Sequence, residues 1–157
     1  IMQVLDKNKQ YSTFRTLLTA LPDLLETLQQ PADLMLDDTI YTVFVPNNAA
    51  FAKLEKDILF KLGKKDNLPV LRKIVRFHFV EDVLATSDIS IGMQIDTLAL
   101  LSMSVKPKGG GILGLGKGDG FVLNEGSIVS PDIQCCNGVI HEVDSLLNPY
   151  LLYRYLV

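Results

Sequence analysis

The spacing of the apolar residues changes midway along the chain, and this change constrains the fold more than any other feature. From Tyr11 to Leu21 the apolar positions lie three and four residues apart, the period of a helix that buries one face. From Leu101 to Lys106 apolar and polar residues alternate, the pattern of a half-buried strand. Helices followed by strands are typical of the α+β class, so we expect an α+β fold.

Local signals predict the individual elements. The first helix is expected to start with Ser12 or Thr13 as its N-cap, and its apolar face continues after Pro22. Gly63 is the expected stop of a short helix. The other elements are predicted, in chain order, as a strand at 40–45 ended by Pro46, a helix capped by Asn47 or Asn48, helices at 57–62 and after Asn67, and strands at 101–106, 121–123, 127–129 and 139–143.

Composition narrows the class of protein. The chain has 157 residues, which fits a single domain over 1–157, and its 48% hydrophobic and 21% charged content is that of an ordinary globular protein. A net charge of −3 disfavours a nucleic-acid partner. No apolar run is long enough for a transmembrane segment. One local basic region is interpreted as a solvated helix face; it consists of Lys61, Lys64, Lys65, Arg72, Lys73 and Arg76.

Residue types that are common in reactive and metal-binding sites occur close together near Cys135 and Cys136. These two cysteines, with His78 and His141, could in principle bind zinc, but adjacent cysteines point to opposite faces of an extended chain. We therefore expect no metal site, with one cysteine in the core and the other at the surface. His141 is in phase with core residues of its strand and is expected to be buried and neutral, so no catalytic residue is assigned.

Seven of the eleven glycines lie in a loop at 109–120 that nearly matches two nucleotide-binding motifs. Both motifs need a helix after the loop, whereas Phe121 begins a strand pattern. The second motif also needs Ser or Thr where Gly118 stands. We interpret the segment as a hairpin loop.

Three segments resemble, in the right order, the marker segments of the fasciclin domain. They are YTVFVPNNAAF (41–51), FHFV (77–80) and NGVIHEVDSLLNP (137–149), and the resemblance covers about 11–149. It implies a wedge of two small β-sheets with helices packed on one side, with 150–157 as an apolar C-terminal tail. It also identifies a set of fold-defining residues: Phe44, Pro46, Phe51, His78, Asn137, Gly138, His141 and Asp144.

The resemblance implies a function as well as a fold. Such domains are non-enzymatic adhesion and protein-interaction modules, at the cell surface or in extracellular matrix. Two departures stand out: Phe77 occupies a position that usually holds Tyr, and Asn47-Asn48 replaces the usual Thr-Asp. Pro131-Asp132-Ile133 and Lys56-Asp57-Ile58-Leu59 are similar to integrin-recognition segments of animal matrix members of the family.

These segments give the predicted partner-binding residues: Asp132, Ile133, Asp57, Ile58 and, in the aromatic tail, Tyr150, Tyr153 and Tyr155. Two alternatives stay open. The first is a carrier of an apolar pigment such as a carotenoid, favoured by the apolar residues Met93, Leu98, Leu100, Leu101 and Met103. The second is an accessory subunit of a larger assembly, for example a photosynthetic one, in a plastid or another intracellular compartment. No other cofactor is expected.

Overall fold

Five ranges of the chain are described by the structure, a computed structural model: residues 1–29, 40–107, 121–124, 126–135 and 138–147. The glycine-rich loop, Cys136, Asn137 and the C-terminal tail lie outside the described residues. The hairpin-loop interpretation, the exposure of the second cysteine and the role of the tail therefore stay predictions.

Helices occupy most of the first half, as the apolar spacing predicts. They are α1 (Met2–Lys7), α2 (Ser12–Thr19), α3 (Pro22–Gln29), α4 (Asn48–Ala52), α5 (Lys56–Leu62) and α6 (Leu68–Arg76). Single turns of 3₁₀-helix lie at Lys9–Tyr11, Lys65–Asn67 and Thr86–Asp88. Helix α1 has no predicted counterpart, because six residues are too few to display a helical period.

The N-terminus of α2 is capped by a residue from another part of the chain. Ser12 is already the first helical residue, and no local side chain caps the helix. Instead the Thr13 N–H donates to Asn48 Oδ1 over 3.0 Å, and Asn48 Nδ2 donates to the Ser12 hydroxyl oxygen over 2.9 Å. The prediction of Ser12 or Thr13 as N-cap is wrong, since a tertiary contact satisfies the N–H that a local cap would have bound.

The neighbouring helix boundaries follow local signals. Asn47 caps α4 as predicted, because its Oδ1 accepts the Ala50 N–H over 2.8 Å. The pair Asn47-Asn48 thus caps two different helices. Helix α5 ends at Leu62 with Gly63 as its C-cap, although Gly63 has an ordinary φ of −84° rather than the left-handed conformation.

The described residues contain seven strands: β1 (Tyr41–Pro46), β2 (Phe79–Val80), β3 (Gln94–Asp96), β4 (Ser102–Pro107), β5 (Phe121–Leu123), β6 (Gly126–Cys135) and β7 (Gly138–Val143). They are hydrogen-bonded in one continuous order, β2-β1-β7-β6-β5-β4-β3. Strands β1 and β7 run parallel, and the other neighbouring strands run antiparallel. The parallel pair therefore joins the first and last marker segments side by side.

Strand β6 is much longer than the predicted strand at 127–129. Its pairing with β7 shifts register between Ile128 and Ser130 and again between Ser130 and Ile133. Asp132 has a left-handed φ of 55° within the second irregularity. These bulges break the alternation of side chains, which explains why the pattern at 130–135 does not indicate a strand.

The core consists of two clusters of buried apolar residues. One contains the inner faces of the helices together with Val43, Val45 and Ile140, and the other contains Phe44 and Val143 with apolar residues of β4 and β5. All six residues of β7 are buried, so this strand is covered on both faces. The predicted α+β class is confirmed, with helices packed against one part of the sheet.

Candidate functional site

His141 lies at the centre of the last marker segment and is completely buried. Its ring stacks on Phe44 at a centroid distance of 5.4 Å. Nδ1 accepts the Asp132 N–H over 3.0 Å, so Nε2 carries the proton and donates to the Leu84 carbonyl oxygen over 2.6 Å. Both ring nitrogens are used inside the fold, and His141 holds the β6 bulge against the loop that contains Leu84.

His78 forms a second buried connection, with the opposite tautomer. Its Nδ1–H donates to the Ile74 carbonyl oxygen over 2.8 Å, and Nε2 accepts the Leu147 N–H over 3.0 Å. Burial lowers the pKa of His78 from 6.5 to about 4, although the bond to Ile74 acts in the opposite direction. His78 is therefore neutral at pH 7, and it ties the end of α6 to the segment that follows β7.

Asp132, predicted to bind a partner, instead binds Thr86 of the same chain. Its Oδ1 accepts the Thr86 N–H over 2.8 Å, and its Oδ2 accepts a short hydrogen bond from the Thr86 hydroxyl. These two bonds, the hydroxyl first, lower the pKa of Asp132. The next residue, Ile133, is half-buried against the core and pairs with Ile140. Both residues have structural roles, and their partner role stays a prediction.

The other predicted pair, Asp57 and Ile58, lies in the first turn of α5. The Asp57 side chain is 69% exposed and pairs with Lys61 over 3.0 Å, whereas Ile58 packs partly against the core. Phe60 lies one helical turn after Asp57, on the same side of α5. It is 69% exposed and was not among the predicted site residues. Asp57, Phe60 and Lys61 are referred to below as the α5 surface.

The remaining marker residues position the parallel strand pair. Phe44 and Phe51 are buried in the two core clusters, and Pro46 stands beside Val143 in register. Asp144 Oδ1 accepts the Ser127 N–H over 2.8 Å.

Gly138 allows the closest backbone approach in this pair. A Cβ at Gly138 would lie 2.1 Å from the Tyr41 carbonyl oxygen, so the parallel pairing of β1 and β7 at this point requires glycine. Asn137, the residue before it, and the tail residues Tyr150, Tyr153 and Tyr155 lie outside the described ranges.

The sequence patterns did not predict a buried polar network around Glu142. Glu142 Oε1 accepts a 2.6 Å hydrogen bond from the Tyr11 hydroxyl, and Oε2 accepts a 2.8 Å bond from Asn47 Nδ2. Burial, followed by the contact with Glu142, raises the pKa of Tyr11. The signal was available, because Glu142 is a carboxylate inside a strand whose other residues are largely apolar. The network joins the start of α2 to β7.

Reactive side chains do not converge elsewhere in the described ranges. Cys135 is half-buried, and its thiol donates to the Ile133 carbonyl oxygen over 3.8 Å. No group of three His, Cys, Asp or Glu side chains is arranged to hold a metal ion among the described residues. None of the helices that the structure describes combines the length and hydropathy needed to cross a membrane.

The apolar residues that favoured a pigment carrier contribute mostly to the core. Met103 is buried, and Met93, Leu98 and Leu101 pack partly against the two clusters, whereas Leu100 is 93% exposed. A cleft of about 330 Å³ opens beside β3, and its lining includes Met93 and Leu98 together with the acidic residues Glu81, Asp82 and Asp96. The pigment alternative stays a prediction.

A second cleft, of about 200 Å³, lies between α6 and the turn that connects β3 to β4. Its walls are Pro69, Arg72, Lys73 and Arg76 of α6 and residues 98–100 of the turn. The cleft combines three cationic side chains with apolar ones and is referred to below as the Leu100 pocket.

Comparisons with known proteins place these features in a wider group. A family model for the fasciclin domain matches residues 9–149. The protein sll1735 of Synechocystis is 26% identical over 147 residues, which span 94% of this chain and 96% of that protein. Periostin of Homo sapiens is 34% identical over 148 residues, which span 92% of this chain and 15% of periostin.

A solved structure supports the fold. A FAS1 domain pair from the insect cell adhesion molecule fasciclin I matches with a TM-score of 0.71 at 20% sequence identity, and the match covers 98% of this chain and 51% of that one. The chain therefore corresponds to about half of that structure.

Proposed function

The chain belongs to the fasciclin family, and on this premise we propose that it is a non-catalytic protein-interaction domain of the adhesion type. The proposal includes a position at a cell surface or in extracellular matrix, which family membership favours. The partner is another protein that recognises exposed side chains of a rigid domain.

The side chains that could act as catalytic acids or bases are hydrogen-bonded within the fold, and this supports the proposal. His78 and His141 each use both ring nitrogens within the fold, and Asp132 uses both carboxylate oxygens. Glu142 is bound by Tyr11 and Asn47. A general base needs a free lone pair within reach of a substrate proton, and the acceptor nitrogen of each histidine is already occupied inside the fold. These internal bonds stabilise the fold.

The observation that carries the proposal is the exposure of Phe60 on the α5 surface. A phenylalanine that is 69% exposed stands one turn from Asp57, the exposed carboxylate predicted to bind a partner. Lys64 lies over the Phe60 ring at 5.8 Å, which restrains the ring in its exposed position. Aromatic anchors beside charged residues dominate the energetics of protein interfaces. The α5 surface is therefore the proposed contact.

An adhesion assay tests the proposal. Cells of the source organism are counted on plates coated with the native chain, with Phe60→Ala, with Asp57→Ala, and with a control variant, Val129→Ala, at another exposed apolar position. Native protein should retain cells, and Phe60→Ala should reduce retention by about tenfold, the effect of losing an interface anchor. Equal retention on native and heat-denatured protein would exclude specific adhesion, and equal effects of Phe60→Ala and Val129→Ala would exclude the α5 surface.

A further inference from the structure

Helix α6 carries a row of residues that the core does not use. Pro69, Arg72, Lys73 and Arg76 follow at three- and four-residue spacing, so they share one face of the helix. The opposite face, with Leu71, Ile74 and Val75, is buried. Within the described residues, Asp23 is the one carboxylate paired with this row: it binds Arg72 and lies 3.9 Å from Arg76. The row keeps an excess of positive charge.

Arg76 has an unusual internal feature. Its Nε atom is buried, yet it has no hydrogen-bond partner among the described residues. A buried N–H without an acceptor is unfavourable, and such groups are rare in folded proteins. Lys73, on the same face, is exposed and has no ion pair in the part of the chain that the structure describes. A docked carboxylate can reach the exposed Lys73 and the exposed part of the Arg76 side chain, which is 41% exposed, but not the buried Nε itself.

The turn opposite α6 presents an apolar side chain under strain. Leu100 is 93% exposed and has a left-handed φ of 63°, a conformation that bulky residues rarely adopt. The turn is held by hydrogen bonds from the Leu100 N–H to Thr97 O (3.1 Å) and from the Leu98 N–H to Phe79 O (3.0 Å). Strained, well-held residues cluster at ligand-binding positions.

We propose that the Leu100 pocket binds an acidic segment of a partner protein, with Leu100 contacting an apolar side chain and Lys73 and Arg76 contacting carboxylates. A cleft of about 200 Å³ is smaller than typical small-molecule sites and holds one or two side chains. The rigid turn adds apolar contact without further ordering. This inference rests on the proposed function in one respect only, namely that the binding partner is a protein. The Leu100 pocket does not include the α5 surface.

Fluorescence anisotropy with a labelled synthetic peptide tests the proposal. The probe carries several glutamates around one leucine, and its twin has glutamine at each glutamate position. The native chain should bind the acidic probe and not the twin. Raising the salt concentration from about 0.1 M to about 1 M shortens the screening length from about 10 Å to about 3 Å and should abolish binding.

Two variants and two controls locate the site. Lys73→Glu should weaken binding by about tenfold, since it replaces an attraction by a repulsion. Leu100→Asn should weaken binding similarly, and because asparagine tolerates the left-handed conformation, its melting temperature should equal or exceed that of the native chain. A structural role for Leu100 would instead lower the melting temperature. Lys65→Glu and Val129→Asn make matched changes outside the pocket and should leave peptide binding unchanged.

Each remaining outcome contradicts the proposal in a different way. Equal binding of the acidic probe and its glutamine twin would exclude recognition of charge. Flotation with phosphatidylserine vesicles, without peptide binding, would assign the pocket to a membrane surface. A salt-sensitive dimer in sedimentation, lost in Leu100→Asn, would assign it to a second copy of the chain. If the native chain retains cells in the adhesion assay but does not bind the acidic peptide, this inference alone is overturned. If the native chain does not retain cells, the proposed function is overturned.

Discussion

Moderate acid should destabilise this protein through a single buried side chain, His78. The ring is completely buried, and both nitrogens are engaged, one as donor to Ile74 and one as acceptor from Leu147. Protonation of Nε2 would break the bond from the Leu147 N–H and place a charge in the core. Since burial lowers the pKa of His78 from 6.5 to about 4, the unfolded chain binds this proton more readily than the folded chain.

The direction and size of the effect follow from this difference. Between pH 6.5 and about pH 4 the unfolded state binds a proton at His78 that the folded state does not bind. The free energy of unfolding therefore falls as the pH falls. Each pKa unit corresponds to about 1.4 kcal/mol, so the full loss at His78 is about 3 kcal/mol. The stabilisation is complete above pH 6.5 and is lost by about pH 4.

Urea unfolding followed by circular dichroism at several pH values between 7 and 4 measures this loss. The control is His78→Gln, whose neutral amide can still accept a hydrogen bond but does not titrate. The difference between native chain and variant cancels other titrating groups, including Asp23 and Asp132. The native chain should lose about 3 kcal/mol more than the variant across this range. Parallel pH profiles for the two proteins would refute the assignment of the effect to His78.

Three further changes test the tertiary contacts by urea unfolding. Gly138→Ala should destabilise the chain by about 3 kcal/mol or more, because its Cβ would meet the Tyr41 carbonyl oxygen, whereas Gly63→Ala has room and should change little. Asp132→Ala should lose about 2 kcal/mol with its bonds to Thr86, and Asp132→Asn less. Because the pKa of Asp132 is lowered from 3.8, the advantage of the native chain over Asp132→Asn should shrink below that pH. Tyr11→Phe should lose about 1–3 kcal/mol by leaving Glu142 Oε1 without its donor, and no loss would show that this bond contributes nothing.

Some parts of the fold could be predicted because their signals are local. The apolar period at 11–21, the cap at Asn47 and the stop at Gly63 all depend on residues within one or two turns. The burial of His141 was predicted from strand alternation, and its ring is fully buried. In each case the side chain and the backbone groups it satisfies are close in sequence.

Other parts depended on residues far apart in the chain. The cap of α2 comes from Asn48, and the length of β6 depends on bulges that β7 accommodates. The contacts of Asp132 arise in the same way, because the Thr86 that binds both its carboxylate oxygens lies 46 residues away in the chain. The exposure of Phe60 and Leu100 had no sequence signal, because a short helix or a turn has too few residues to show which side faces the core.

The amino-acid sequence by itself determined the α+β class, the order of most elements and the fasciclin markers, because hydrophobic period and turn chemistry act between neighbouring residues. Only the tertiary structure decided which polar groups remain available for a partner. Each buried donor and acceptor must be satisfied, and the residue that satisfies it is brought near by folding rather than by position in the chain. This requirement turned His78 and His141 inward and bound the partly exposed Asp132 to Thr86, whereas Lys73 stays at the surface.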